Sequence, residues 1–212
     1  MQPIAIFLFE HSTQSAQPWA DAGYLCYCVD IQHPAGETRT GNIVRVGASV
    51  HDWLPPRGEV AFCAAFPPCT HLAVSGARWF AGKGLRLLSE SIVLFARAAE
   101  IAESLGCPYF LENPVSSIST YWRKADHAFD PCDYAGWLEP AARANEAYTK
   151  RTCLWAGGGF VMPEKKPVLA LLGSKMHKLP PGPNRANLRS ETPRGFALAV
   201  FEANTALVHA AI

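Results

Sequence analysis

The stretch Val60-Ala61-Phe62-Cys63-Ala64-Ala65-Phe66-Pro67-Pro68-Cys69 decides the fold. Its first six residues are apolar or small and carry no charge, the pattern of a buried strand. Two prolines follow. Proline fixes φ and has no N–H, so a strand ladder ends there. The chain thus presents one thiol, Cys69, at the carboxyl edge of a strand. A second apolar run, Pro108-Tyr109-Phe110-Leu111, ends in Glu112-Asn113-Pro114. In open α/β sheets, ligands sit outside the carboxyl ends of the strands. A thiol and a carboxylate on two such ends suit nucleophilic attack on an electron-poor ring, with the carboxyl as proton donor.

The chain has 212 residues, enough for one good core and a small appendage. Hydrophobic residues make up 49% and charged ones 17%, which excludes a disordered chain. The net charge is +1, so basic surface must be local. No apolar stretch is long enough to span a membrane. The apolar start, Ile4 to Phe9, lacks a basic region before it and reads as a first strand, which makes the expected location cytoplasmic. Seven cysteines at irregular spacing form no disulfide framework. Cys26-Tyr27-Cys28 has no matching His or Cys pair, so no metal site is expected.

Strands and helices alternate along the chain. Strands are expected over residues 4–9, 24–29, 42–46, 60–65, 109–111 and 152–156. Residues 15–22 read as a short helix closed by Gly23. Apolar residues at helical spacing (Leu88, Ile92, Phe95, Ala99, Ala102) predict a helix over 85–105. Residues 32–39 and 70–84 read as loops. A final helix opens with Thr192 as N-cap and Pro193 in its first turn, and runs to 211. The alternation favours an α/β fold with a mostly parallel sheet and helices on both faces.

Phe66-Pro67-Pro68-Cys69 together with Glu112-Asn113-Pro114 resembles the cytosine-C5 DNA methyltransferases, especially short methyltransferase-like proteins of phages and prophages. Weaker landmarks follow in the same order. Phe9, Glu10 and Ser12 fall where that family binds S-adenosylmethionine after strand one. Asp30 and Ile31 fall where an acid meets the ribose hydroxyls. Ser49 and Val50 match the adenine-binding segment, Pro67 flanks the nucleophile, and Thr192 opens the helix that returns to the cofactor. Asp133-Tyr134-Ala135-Gly136 and Tyr148-Thr149-Lys150-Arg151 resemble the segment that brings arginine to the target base.

The resemblance implies a Rossmann-like fold in three parts. Residues 1–156 form the catalytic core, 157–191 a short basic loop region in place of a target-recognition domain, and 192–212 the returning helix. It also implies a mechanism. Cys69 attacks C6 of cytosine, Glu112 donates at ring N3, Arg151 anchors the base, and S-adenosylmethionine is the methyl donor. A base inside a duplex must be flipped out for such chemistry.

The sequence departs from the family in named places. The loop from Phe9 to Ser15 has no glycine; Ser49 stands where an acid is usual; Cys153 stands where a second arginine is usual. The 157–191 insert is too short for a domain with its own core. It is locally basic, with Lys165, Lys166 and Lys175 among its cations, and such residues in an irregular loop contact phosphates. Arg123 and Lys124 beside Trp122 read as a stack with charge for nucleic acid, or Trp122 as a cover for the core. Ser75 reads either as pocket lining or as a loop cap. DNA is the expected partner. The same chemistry on RNA or a free cytidine nucleotide, a degenerate nucleic-acid-binding protein, and a separate recognition subunit stand as alternatives. The sequence leaves the oligomeric state open.

Overall fold

In a computed structural model that describes residues 2–209, one eight-stranded sheet organises the chain. Its strands are β1 (Ile4–Leu8), β2 (Leu25–Val29), β3 (Gly36–Thr40), β4 (Ile43–Gly47), β5 (Val60–Ala65), β6 (Tyr109–Pro114), β7 (His127–Phe129) and β8 (Thr152–Gly157). The order across the sheet is β3-β4-β2-β1-β5-β6-β8-β7. The five central strands are parallel, whereas β3, β8 and β7 each join by antiparallel pairing. The sheet is therefore mixed, which corrects the mostly parallel expectation. The hairpin-like β7 and β8 add local antiparallel pairing at one edge and β3 does so at the other.

The helices are α1 (Gln17–Asp21), α2 (Phe80–Ser104), α3 (Ile118–Tyr121), α4 (Pro140–Glu146), α5 (Lys175–Lys178), α6 (Arg185–Ser190) and α7 (Arg194–His209). On one sheet face, α2 buries Phe95, Ala98, Ile101 and Ala102 against Leu8, Cys63, Leu111 and Trp155. On the other, α1 and α7 bring Trp19, Phe196 and Val200 onto Phe7, Phe62, Phe110 and Leu154. Trp19 stacks on Phe62 at 4.4 Å between ring centroids, and Phe196 on Phe129 at 4.0 Å. Each such side chain contributes roughly 1.5–3 kcal/mol through burial.

Four local expectations change. Residues 32–39 were expected as a loop, but Gly36-Glu37-Thr38-Arg39-Thr40 is an edge strand held by β4. All five residues are exposed, so no apolar alternation marks it, and its charges discourage further pairing. Residues 70–84 form a 3₁₀ turn (Val74–Trp79) and the first turn of α2. Gly84, at φ 76°, breaks α2 there, so the regular helix starts at the expected Leu85. β6 runs on through Glu112, Asn113 and Pro114, paired with β8, instead of stopping at Leu111. Pro114 is the last residue of that ladder, where a missing N–H removes no interior bond.

Thr192 is buried but does not cap α7. The Pro193 carbonyl accepts the first helical bond, from Ala197, which makes Pro193 the capping position. The orphan N–H groups of Arg194 and Gly195 go instead to the two carboxylate oxygens of Glu146, at 2.5 and 2.9 Å. Residues 210–211 of the expected final helix lie outside the described residues.

Candidate active site

The chain leaves β1 towards β2 on one side, and β5 flanks β1 on the other, so the sheet has its switch point between β1 and β5. A crevice opens at such a point, above the carboxyl ends of the strands. The loop after β1 and the Phe66–Cys69 segment after β5 are its two walls.

Cys69 is half-buried and is followed by a tight turn in which its carbonyl accepts from the N–H groups of Leu72 and Ala73. The other six cysteines are buried free thiols, with Cys26 and Cys28 in the core beneath α1. Burial pushes the Cys69 thiol above its ordinary value, and the negative charge of Glu112 adds to this; Lys150 and Arg189 pull it back. The two strand ends predicted to face one substrate therefore lie within electrostatic reach of each other. Glu112 is half-buried as a residue, but its Oε1 is shielded from solvent and has no hydrogen-bond partner. Burial raises its carboxyl above the ordinary value, opposed by Lys150.

Asn113 holds the pair together. It is 1% exposed, and its Nδ2 donates to the Pro67 carbonyl at 2.9 Å, joining the end of β6 to the segment that carries Cys69. Pro67 is itself buried against this bond, while Pro68 is exposed. The main chain adds further ties: Val74 N–H donates to Val115, and Ser117 N–H to Leu72. The sequence named Asn113 only as part of the Glu112-Asn113-Pro114 strand end and gave it no role of its own. The signal was its place beside Glu112, on the opposite strand face, where it points towards the neighbouring loop.

Lys150 is the second residue that sequence reading left out of the site. Successive residues of a strand point to opposite faces, and Glu112 pairs with Leu154. Counting back by twos through Thr152 puts Lys150, not Arg151, on the Glu112 side. The electrostatics agree: Lys150 acts on Glu112 and Cys69, whereas Arg151 acts on Cys153. Arg151 is exposed. The Lys150 ammonium also donates to the Arg189 carbonyl at 2.7 Å, and the Lys150 backbone N–H donates to Asp130 Oδ1. Arg189, one of the insert cations expected to contact phosphates, lies instead within reach of Cys69 because α6 folds over the site.

A cleft of about 430 Å³ lies on the β1 side of the crevice. Phe9, Glu10, His11, Ser12, Gln14 and Phe66 line its floor, and Asn184, Asn187, Leu188, Ser190 and Glu191 its outer wall. The insert thus folds over the cleft. Asn187 also donates to Gln32 Oε1, after β2. The glycine-free loop takes left-handed backbone at Phe9 (φ 58°) and Thr13 (φ 64°), conformations that L-residues adopt only when their surroundings impose them. Asp30 is buried at the end of β2; its Oδ1 accepts from Gln32 N–H at 2.7 Å.

The remaining predicted residues fall in varied places. Ile31 is exposed beside Asp30, Ser49 caps its own turn by accepting from His51 N–H, and Val50 is 2% exposed in the core under α2. Ser75 and Lys124 are exposed. Arg123 pairs with Asp126, donates to the Ala156 carbonyl and stacks over Trp122. That carbonyl lies opposite Phe110, displaced from Glu112 towards the start of β6. Lys165 pairs with Asp133 at 2.9 Å, Lys166 lies over the Trp137 ring, and Lys175 donates to the Asn145 carbonyl.

No known family model matches the chain, and no curated protein does. Among solved structures, an E. coli protein described as a DNA modification methyltransferase encoded within a prophage aligns with a TM-score of 0.46 at 11% identity. The alignment covers 74% of this chain and 46% of that one, so the chain spans under half of that protein's length. Among the described residues, no helix is long and apolar enough to cross a membrane.

Proposed function

We propose that the protein is an S-adenosylmethionine-dependent methyltransferase acting on C5 of cytosine in DNA through a covalent Cys69 adduct. The observation that supports this reading is that Cys69 follows one strand end and the unpartnered, shielded carboxyl of Glu112 lies on the neighbouring one, near enough for its charge to act on the thiol.

The chemistry follows from the charges. Thiol and carboxyl repel each other's ionised forms, so the pair favours one negative charge. Ionised Glu112 with neutral Cys69, and neutral Glu112 with Cys69 thiolate, differ by one internal proton shift. A pyrimidine whose N3 accepts from Glu112 favours the second arrangement. The thiolate then adds to C6 as Glu112 protonates N3, and the ring becomes an enamine nucleophilic at C5. S-adenosylmethionine supplies the electrophilic methyl group. The C5 proton passes to water as the Cys69 thiolate is expelled, which restores the aromatic ring, and Glu112 takes back the N3 proton. Lys150 stabilises whichever member of the pair is ionised.

The cleft fits the cofactor in size and donor set. Its volume lies in the range of small-molecule sites. Aromatic Phe9 and Phe66 offer apolar walls, while Glu10, Ser12 and Gln14 offer polar contacts to a cationic amino acid. Asp30 is the candidate for the ribose hydroxyls. Ser75, Lys124 and the insert lysines are proposed contacts for DNA phosphates, with residues 1–156 as core and 157–191 as the reduced recognition region. Tritium release from DNA carrying [5-³H]cytosine, dependent on S-adenosylmethionine, tests the reaction position directly. Release from cytidine nucleotides but not DNA would reassign the substrate; release from neither would reject the reading.

A further inference from the structure

A glycine-rich loop after the first strand recognises ligands with its free N–H groups. The loop after β1 uses them differently. Glu10 is 3% exposed, and its carboxylate accepts from the Ser12 hydroxyl at 2.5 Å, with the backbone of Thr13 and Ser15 turned so as to favour its charged form. The Ser12 hydroxyl oxygen in turn accepts from Gln14 N–H. The Ser12 hydroxyl, backed by Gln14 N–H, is spent on the Glu10 carboxylate, and the left-handed turns at Phe9 and Thr13 wrap the chain around it. The cleft floor therefore presents an acid where such loops otherwise present amides.

The surroundings hold little to neutralise that acid. Asp30 and His33 face it from beyond β2, Cys28 from within β2, His11 from its own loop, and Glu191 from the outer wall. His33 Nε2 lies 3.2 Å from the Glu10 carbonyl, and burial holds its ring below the ordinary histidine value. Arg45 of β4 acts on Cys28 and His33. Glu10 and its acidic neighbours thus leave the floor short of positive charge. We infer that this cleft recognises its ligand's sulfonium through Glu10, taking a sulfonium nucleoside in preference to the same nucleoside without that charge.

The inference rests on the methyltransferase reading and adds direction to it. S-adenosylmethionine carries a sulfonium that S-adenosylhomocysteine lacks, so the spent product would leave more readily than the donor. Burial lifts the Glu10 carboxyl to about 7, and a bound cation favours its ionised form. Donor binding below about pH 7 should therefore release a proton, and affinity should fall as pH falls.

Titration calorimetry tests this in the intact protein. Wild type should bind S-adenosylmethionine about tenfold more tightly than S-adenosylhomocysteine near pH 8, and Glu10→Gln should lose most of that preference. A measurement on wild type alone guards against a distorted variant. Near pH 6.5, the heat of donor binding should vary with the ionisation enthalpy of the buffer, and the heat of product binding should not. Equal wild-type affinities, a preference that survives in Glu10→Gln, or buffer-independent donor heats would each overturn the inference and leave the methyltransferase reading standing. Binding of neither nucleoside would overturn both.

Discussion

The side chain of Asn113 donates to the carbonyl oxygen of Pro67, across the gap between β6 and the loop after β5. This hydrogen bond, with the main-chain ties of Val74 to Val115 and Ser117 to Leu72, joins the strand end that carries Glu112 to the loop that carries Cys69. A buried bond of this kind is costly to break, because the carbonyl left behind has no water to replace its partner.

Asn113→Ala should therefore lower stability by about 1–3 kcal/mol. Methyl transfer should fall further than stability explains, by about tenfold to a hundredfold at a temperature where the variant is fully folded. Denaturant titration and initial rates on the same sample separate the two effects.

The reactivity of Cys69 should follow its charged neighbours. Glu112→Gln removes the negative charge that opposes thiol ionisation, so alkylation by iodoacetamide at fixed pH should be faster than in wild type. Lys150→Met removes a favourable charge and should slow it. Cys69→Ser supplies the background from the buried thiols. Slower alkylation in Glu112→Gln would separate the two side chains electrostatically.

Lys150 and Arg151 make a paired comparison. Lys150→Met should lower methyl transfer by about tenfold or more, because its charge acts on both Cys69 and Glu112, the proposed catalytic pair. Arg151→Met, exposed and aligned with Cys153, should cost less. Rates on one DNA substrate at saturating donor decide the order.

Glu10 predicts a pH dependence of stability. Its folded-state carboxyl is raised from 4.5 to about 7. A group raised in the folded state contributes stability below its unfolded value and loses it as pH rises through the folded value. Wild type should thus lose stability relative to Glu10→Gln between about pH 4.5 and 7, by roughly 3 kcal/mol. Unfolding free energies of both proteins across that range check it.

Much of the fold was legible because its signals were local. The apolar runs at β1, β2, β5 and β8, and the 3.6-residue spacing of α2, each imply one element. β3 was not legible: Gly36 to Thr40 bury nothing, so hydrogen bonding to β4 alone makes them a strand. The capping of α7 by Glu146 joins residues far apart in the chain and leaves no mark at Thr192. In the site, Cys69 and Glu112 were legible from strand ends. Lys150 needed the register of β8 against β6, and Arg189 needed the fold of the insert. The loop after β1 has no glycine, yet Phe9 and Thr13 adopt left-handed backbone there around a buried carboxylate.

Trapping of the covalent intermediate bears most directly on the account. With S-adenosylmethionine and DNA carrying 5-fluorocytosine, the proton whose loss releases Cys69 is replaced by fluorine. Wild type should form a denaturation-resistant protein–DNA adduct attached at Cys69, and Cys69→Ser should form none. An adduct that persists in Cys69→Ser, or methylated cytosine produced by that variant at the wild-type rate, would contradict the account.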